Sequence, residues 1–154
     1  MEILGKKGLG SLLKNLLLVG FIVAIPCIII SPFLLNHTRS TFYSMVVIYP
    51  NGILMLMIIY QFMKLFRSLE NNNPFCMENV SILKKTGKIS LIMSILWLFD
   101  LIFMMIIIHN FHINYILVLL FLIVLFFGVF IALYILAELM RQATEYKEEN
   151  DLTI

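Results

Sequence analysis

Four apolar segments, separated by short polar stretches, make up most of this chain. They cover residues 16–35, 42–63, 89–108 and 115–137, and only the third contains a charged side chain, Asp100. Each has about the 20 residues that an α-helix needs to cross a hydrocarbon core about 30 Å thick. Because lipid offers no hydrogen-bond partner to the backbone, such segments must be helical. The pattern predicts one all-α domain, residues 1–154, built as a bundle of four transmembrane helices.

The second apolar segment contains a turn-like sequence, YPNG, at residues 49–52. A turn at this point would leave residues 53–66 to cross alone, and a helix of that length spans only about 21 Å. The full segment has the required length only if the chain continues as a helix through the proline. We therefore predict that Pro50 kinks a single helix.

The longest polar interruption, residues 64–88, predicts a loop that contains a short helix. Asn73 followed by Pro74 is typical of a helix start, because asparagine caps free N–H groups and proline suits the first helical position. Apolar side chains then recur at about helical spacing. We expect a short amphipathic helix from Pro74 to Lys85 lying on the membrane face, followed by a bend at Gly87.

Two side chains of this predicted short helix have expected contacts. Phe75 is expected to anchor the helix at the membrane interface, beneath the bundle. Glu78 is expected to pair with Lys85 or with Arg67, which closely follows the second apolar segment.

Composition and charge agree with the membrane class and add an orientation. The chain is 62% hydrophobic and 13% charged, against about 25% charged residues in soluble domains, and its mean hydropathy is +1.01. Of the 11 Lys and Arg residues, all except Arg39 flank the same ends of the predicted helices. Basic residues collect on the cytoplasmic side. Both termini, the loop 64–88 and the tail 138–154 are therefore predicted to be cytoplasmic, in a bacterial plasma membrane.

Asp100 is the most unusual residue within the apolar segments. A carboxylate at that depth costs about 3 kcal/mol on insertion scales, so it is expected to face the bundle interior. Asp100 lies about 12 Å, and Asn51 about 13 Å, from the outer ends of their helices, so they can meet in one layer. Pro26 lies at a similar level. Three roles for Asp100 remain open: an inter-helix hydrogen bond, a site for a proton, cation or small ligand, and a contact with a partner's helix.

The sequence carries no recognisable enzyme motif. It lacks a phosphate-binding loop, the HExxH pattern, the Gly-x-Ser-x-Gly pattern and the dinucleotide-binding glycines. His109 and His112 flank the outer end of the third helix without a third ligand, which is a weak metal pattern. We expect a protein that is not an enzyme, with no metal, no cofactor and no direct contact with nucleic acid.

Two motifs resemble a bacterial family called domain of unknown function 2975. In NPFCMENVSILKKTG, the matching positions are Pro74, Phe75, Glu78, Asn79, Val80, Leu83, Lys84 and Gly87. In EENDLTI, they are Glu149, Asp151, Leu152, Thr153 and Ile154. The resemblance implies a small four-helix inner-membrane protein without an assigned reaction. It also implies a possible partner, since such proteins are often encoded beside a small helix-turn-helix regulator.

These expectations combine into a functional hypothesis with alternatives. The protein would sense a cue, or sequester the regulator, through a cytoplasmic docking face made by residues 73–85, which end in Lys84 and Lys85, and by the tail 148–154. One alternative is a small transport or immunity-type protein that uses Asp100 as an ion or proton site. Another is an accessory subunit of a membrane complex. The lipid bilayer surrounds the protein in every case, and a homodimer remains open.

Overall fold

The architecture is a series of long helices, seen in a computed structural model that describes residues 9–34, 44–70, 74–107 and 113–151. All four α-helices in these ranges are long and apolar enough to cross a membrane. The all-α, four-helix prediction is therefore confirmed. The elements are α1 at Leu9–Leu34, a π-helical turn at Ser44–Ile48 that leads into α2 at Tyr49–Glu70, α3 at Met77–Ile107, and α4 at Ile113–Asp151.

Consecutive helices pack side by side and antiparallel: α1 on α2, α2 on α3, and most extensively α3 on α4. Two serines on α3 join the last pair across the apolar part of the bundle. The hydroxyl of Ser90 donates to the carbonyl of Phe126 at 2.8 Å, and that of Ser94 donates to the carbonyl of Ile123 at 3.1 Å. Small side chains let helices approach closely within lipid. This explains why α3 and α4 form the tightest pair.

The largest hydrophobic cluster lies where the charged residues concentrate. We call this the basic end: the start of α1, the end of α2, the start of α3 and the end of α4. Leu83 on α3 and Ala137 on α4 are almost fully buried there, with 1% and 0% of their surface exposed. The cluster gives this end a rigid interior even though its surface is polar. Its buried members are Leu65, Val80, Ile82, Leu83, Leu133 and Ala137.

The prediction of a polar loop at residues 64–88 is wrong, because most of these residues are helical. Helix α2 continues to Glu70 and α3 begins at Met77, and α3 then runs to Ile107 without a break. The described residues of this stretch form no separate amphipathic helix, and Gly87 is not a bend. The physical reason is packing: Val80, Ile82 and Leu83 are buried in the cluster with α2 and α4 instead of facing lipid head groups, whereas Phe75 stays exposed.

The helix also starts at a different residue from the one that the sequence predicts. Pro74 is non-helical and lies three residues before Met77, so it does not occupy the first helical position. Asn73, the expected cap, lies outside the described residues. The turn is instead closed from within α3, where the side-chain amide of Asn79 donates to the carbonyl of Pro74 at 2.8 Å.

Pro50 lies inside one continuous helical segment, as the length argument predicts. The π-helical turn Ser44–Ile48 precedes it, and α2 follows without a turn. Proline removes one backbone donor, which must be replaced in an apolar surrounding. The side-chain amide of Asn51 supplies a donor in this region, bonding to the carbonyl of Val47 at 2.9 Å.

Helices α1 and α2 approach each other closely at Gly52. A Cβ atom placed on Gly52 would lie only 2.9 Å from Cγ1 of Ile28 and 3.0 Å from its Cγ2 and Cδ1. Glycine is therefore required for this approach. By contrast, a Cβ on Gly87 would meet its nearest neighbours, on Phe130 and Leu133, at an ordinary 3.6 Å.

This contrast yields a prediction for two glycine substitutions. Gly52→Ala should destabilise the bundle by about 1–3 kcal/mol, as overpacking usually does. Gly87→Ala should be tolerated, since the space exists and alanine favours a helix interior by about 1 kcal/mol. Thermal unfolding in detergent measures both.

The double variant Gly52→Ala with Ile28→Ala tests the cause of that loss. Removing the Ile28 side chain should recover stability lost in Gly52→Ala, giving a strongly non-additive pair. Additive losses in the double variant would contradict the proposed contact.

Candidate functional site

A cavity of about 380 Å³ lies between the π-helical turn and α3. Both Asn51 and Asp100 form part of its wall, so the structure brings these two residues together as the depth argument predicts. The remaining lining is apolar: Val46, Val47, Leu96, Phe99, Ile102, Phe103 and Ile106. Pro26, which the sequence places near this level, is exposed on α1, and α1 continues through it without a break.

The two polar residues of this cavity are deeply buried. Asn51 is 6% exposed and Asp100 is 4% exposed. The side-chain amide nitrogen of Asn51 donates a hydrogen bond to the carbonyl of Val47, whereas its Oδ1 has no hydrogen-bond partner among the described residues. Ligand pockets typically combine apolar walls with a few polar groups that fix orientation. The cavity therefore combines an apolar wall with two buried polar side chains.

The backbone beside this cavity is irregular. Val46 and Val47 belong to the π-helical turn and contribute to the cavity wall. Single π-turns inside α-helices occur frequently at functional sites, where they shift side chains out of the regular register. The irregular turn thus gives the cavity a wall that a regular helix would not provide.

The second candidate site is the surface of the basic end, where the residues of the first motif differ in exposure. The motif residues Asn79, Val80, Leu83 and Gly87 are buried in the packed interior. Phe75, Glu78 and Lys85 are exposed, and Phe75 is 46% exposed. Pro74 and Lys84 are half-buried. Buried members can act only by shaping this end, so a partner can touch only the exposed and half-buried ones. Docking itself stays a prediction.

Asn79 holds the exposed part of the motif in place. Besides the bond from its side chain to Pro74, its backbone N–H donates to the carbonyl of Cys76 at 3.1 Å. With its surface 0% exposed, Asn79 fixes the turn that carries Phe75. The aromatic ring is thus presented from a constrained turn.

Glu78 pairs with Lys64 on α2, at 2.8 Å, and not with Lys85 or Arg67 as the sequence suggests. Since α2 and α3 are antiparallel, the first turn of α3 comes level with Lys64, while Lys85 lies two turns further along α3. This end lies beyond the apolar segments, and the hydrogen bond from Lys64 lowers the pKa of the Glu78 carboxyl below its ordinary value.

Further charge contacts tie the basic end together. Lys14 on α1 pairs with Glu70 at the end of α2 at 2.5 Å, which closes the first helical hairpin. Lys84 lies 6.0 Å from the centre of the Tyr134 ring on α4, a cation–π distance. Lys85 makes no ion pair within the described part of the chain and remains available at the surface.

The acidic tail begins as a continuation of α4, which stays helical to Asp151. Arg141 pairs with Glu138 and Glu145 along the helix, and one carboxylate oxygen of each glutamate lies 2.6 Å from a guanidinium nitrogen. Glu149 is exposed. The last residues of the tail motif, Leu152, Thr153 and Ile154, lie outside the described residues, so their predicted docking is untested.

The interpretation of the sequence missed a set of small polar residues on α3. Thr86, Ser90 and Ser94 recur every four residues and are all buried. Small residues four apart within an apolar helix are a known sign of close helix packing. That spacing is visible in the sequence and could have identified the α3 face that contacts α4.

A comparison with protein-family models identifies the group to which this fold belongs. The model described as "Protein of unknown function (DUF2975)" matches residues 11–154. The protein belongs to the DUF2975 family. No curated protein and no solved structure matches it. The match includes all of α2, α3 and α4, so both the cavity and the basic end lie within the part that defines a DUF2975 protein.

Metal ligands do not cluster in the described part of this DUF2975 protein. No group of three or more His, Cys, Asp or Glu side chains there can hold an ion. His109 and His112 lie outside the described residues.

Proposed function

We propose that this DUF2975 protein is a non-enzymatic, multi-pass protein of the bacterial plasma membrane that binds a small helix-turn-helix transcription regulator at its basic end. The basic end would lie in the cytoplasm, where the regulator is. The distribution of Lys and Arg supports this orientation, because basic flanks remain on the cytoplasmic side.

The observation that supports docking is an exposed aromatic side chain held on a rigid frame. Phe75 is 46% exposed beside Met77, which is 43% exposed, and the turn beneath them is fixed by Asn79. Aromatic anchors at constrained positions dominate the energy of many protein interfaces. The exposed Lys85, about two turns further along α3, would favour an acidic patch on the regulator.

Recovery of the regulator with the full-length protein in mild detergent tests this proposal. Phe75→Ala should lower recovery about tenfold, the effect of losing a modest interface anchor. Phe121→Ala is the matched control, since Phe121 is also exposed, at 64%, but lies in the apolar part of α4 outside both cavities. Undiminished recovery with Phe75→Ala, Glu78→Ala and a chain ending before Glu148 would rule the docking face out.

The cavity supports a second candidate function, a small transport or immunity-type protein with an ion, proton or ligand site at Asp100. The supporting observation is that Asp100 and Asn51, both deeply buried, line one largely apolar cavity. Polar side chains at such depth are usually functional when they face an accessible space.

A further inference from the structure

A second cavity, of about 730 Å³, opens at the basic end between α1, α2 and α3. One part of its wall is apolar and includes Leu18 and Met63, while Lys14, Lys64 and Arg67 line another part. Met63 and Arg67 are one turn apart on α2, which is about 6 Å along the helix axis. The cavity therefore crosses the boundary between the apolar segments and the polar end of the bundle.

The cations of this cavity are not equally engaged. Lys14 pairs with Glu70 and Lys64 pairs with Glu78. Arg67 is exposed and makes no ion pair within the described residues. Three cations against two carboxylates leave a surplus of one positive charge, and Arg67 carries it.

An arginine in this position suits a phosphate group. Its planar guanidinium bonds two phosphate oxygens at once, which a lysine cannot do. Because Glu78 is part of the same wall, a second negative charge on the ligand would be repelled. The site therefore favours a singly charged phosphodiester over a doubly charged phosphomonoester.

The apolar wall of the cavity favours a lipid over a free anion as the ligand. Leu18 and Met63 continue from the cationic part toward the apolar segments, along the path that acyl chains would follow. Basic pockets between transmembrane helices are known sites for lipid head groups. We propose that this cavity binds a singly charged anionic glycerophospholipid, with Arg67 on the phosphodiester and Met63 and Leu18 against the first methylenes.

Lipid titration of the purified full-length protein in a non-ionic detergent tests the proposal. Phosphatidylglycerol should raise Tm, because a ligand that binds only the folded state stabilises it. Phosphatidylcholine should not, since its choline cation balances its phosphate and it brings no net negative charge to the surplus positive charge of the cavity. Arg67→Gln should weaken the apparent affinity for phosphatidylglycerol about tenfold, the usual worth of a charge-assisted pair.

Two further variants make the test specific. Lys88→Gln removes the same charge from an exposed position outside the cavity, and affinity should stay within about twofold, as for a surface charge. Met63→Trp keeps every charge but fills the apolar wall, so it should also weaken lipid binding.

Three outcomes would overturn the site. Equal weakening by Arg67→Gln and Lys88→Gln would mean diffuse attraction to charged lipid. The same Tm rise with inorganic phosphate, lost in Arg67→Gln but kept in Met63→Trp, would mean a free-anion site. No difference between phosphatidylglycerol and phosphatidylcholine would mean that the cavity does not recognise charge.

Discussion

Replacing Leu83 with alanine is expected to lower the Tm of the purified protein by about 10 °C, since a buried Leu→Ala change costs about 2–5 kcal/mol and each kcal/mol shifts Tm by about 2–4 °C in chains of this size. Leu83 is 1% exposed in the cluster that joins α2, α3 and α4. Because Leu83 lies before the apolar segment 89–108, its burial removes apolar surface from the polar end of the bundle, where the hydrophobic effect contributes.

Leu139→Ala on α4 is the matched control for Leu83→Ala. Leu139 is 58% exposed and lies two residues beyond Ala137, so the same chemical change removes little buried surface. Its Tm should stay within about 2 °C of the parent protein, as for most surface substitutions. Equal losses in the two variants would show that the basic end is not a packed core.

Replacing Asp100 with asparagine is expected to abolish ion-coupled flux in proteoliposomes, if the cavity is an ion or proton site. Asparagine keeps the shape of the side chain but cannot carry the charge or exchange the proton. Folding should be retained, because the neutral amide is easier to bury than a carboxylate. A pH-sensitive dye inside the vesicles measures the flux.

The control for Asp100→Asn is Glu148→Gln, which removes an exposed carboxylate from α4 and should leave flux unchanged. Undiminished flux in Asp100→Asn, or none in the parent protein, would remove Asp100 as a transport site. Recovery of the regulator separates the two functions. If the protein docks the regulator, Phe75→Ala lowers recovery of the regulator and Asp100→Asn does not. If the protein is a transporter, Asp100→Asn lowers the flux and Phe75→Ala does not.

The apolar pattern predicts the number and class of the helices but not their ends. The length of an apolar segment shows only the part of a helix that matches lipid. The predicted second helix therefore ends near Met63, and the predicted third helix begins at Ile89. In the structure these helices continue to Glu70 and back to Met77. They do so because Leu65, Val80 and Leu83 bury one another, a tertiary contact that no sequence window contains.

The candidate sites were predictable to different degrees. Asn51 and Asp100 share one cavity because rise per residue and the antiparallel order fix their depth, which is simple arithmetic on a sequence. The pairing of Glu78 with Lys64 was missed because it depends on how α2 and α3 are aligned. The motif residues around Asn79 resembled a docking surface until burial showed which of them face inward.

The length of α4 has a mechanical consequence. Its 39 residues span about 58 Å, nearly twice the thickness of a hydrocarbon core, so about 28 Å of continuous helix would lie beyond the core if α4 crosses a membrane. Such a helix is a lever arm: a change in tilt of about 10° within the bilayer would swing its far end by about 5 Å. Helix tilt responds to bilayer thickness and to neighbouring helices. Events inside the membrane would therefore be magnified at the end of α4.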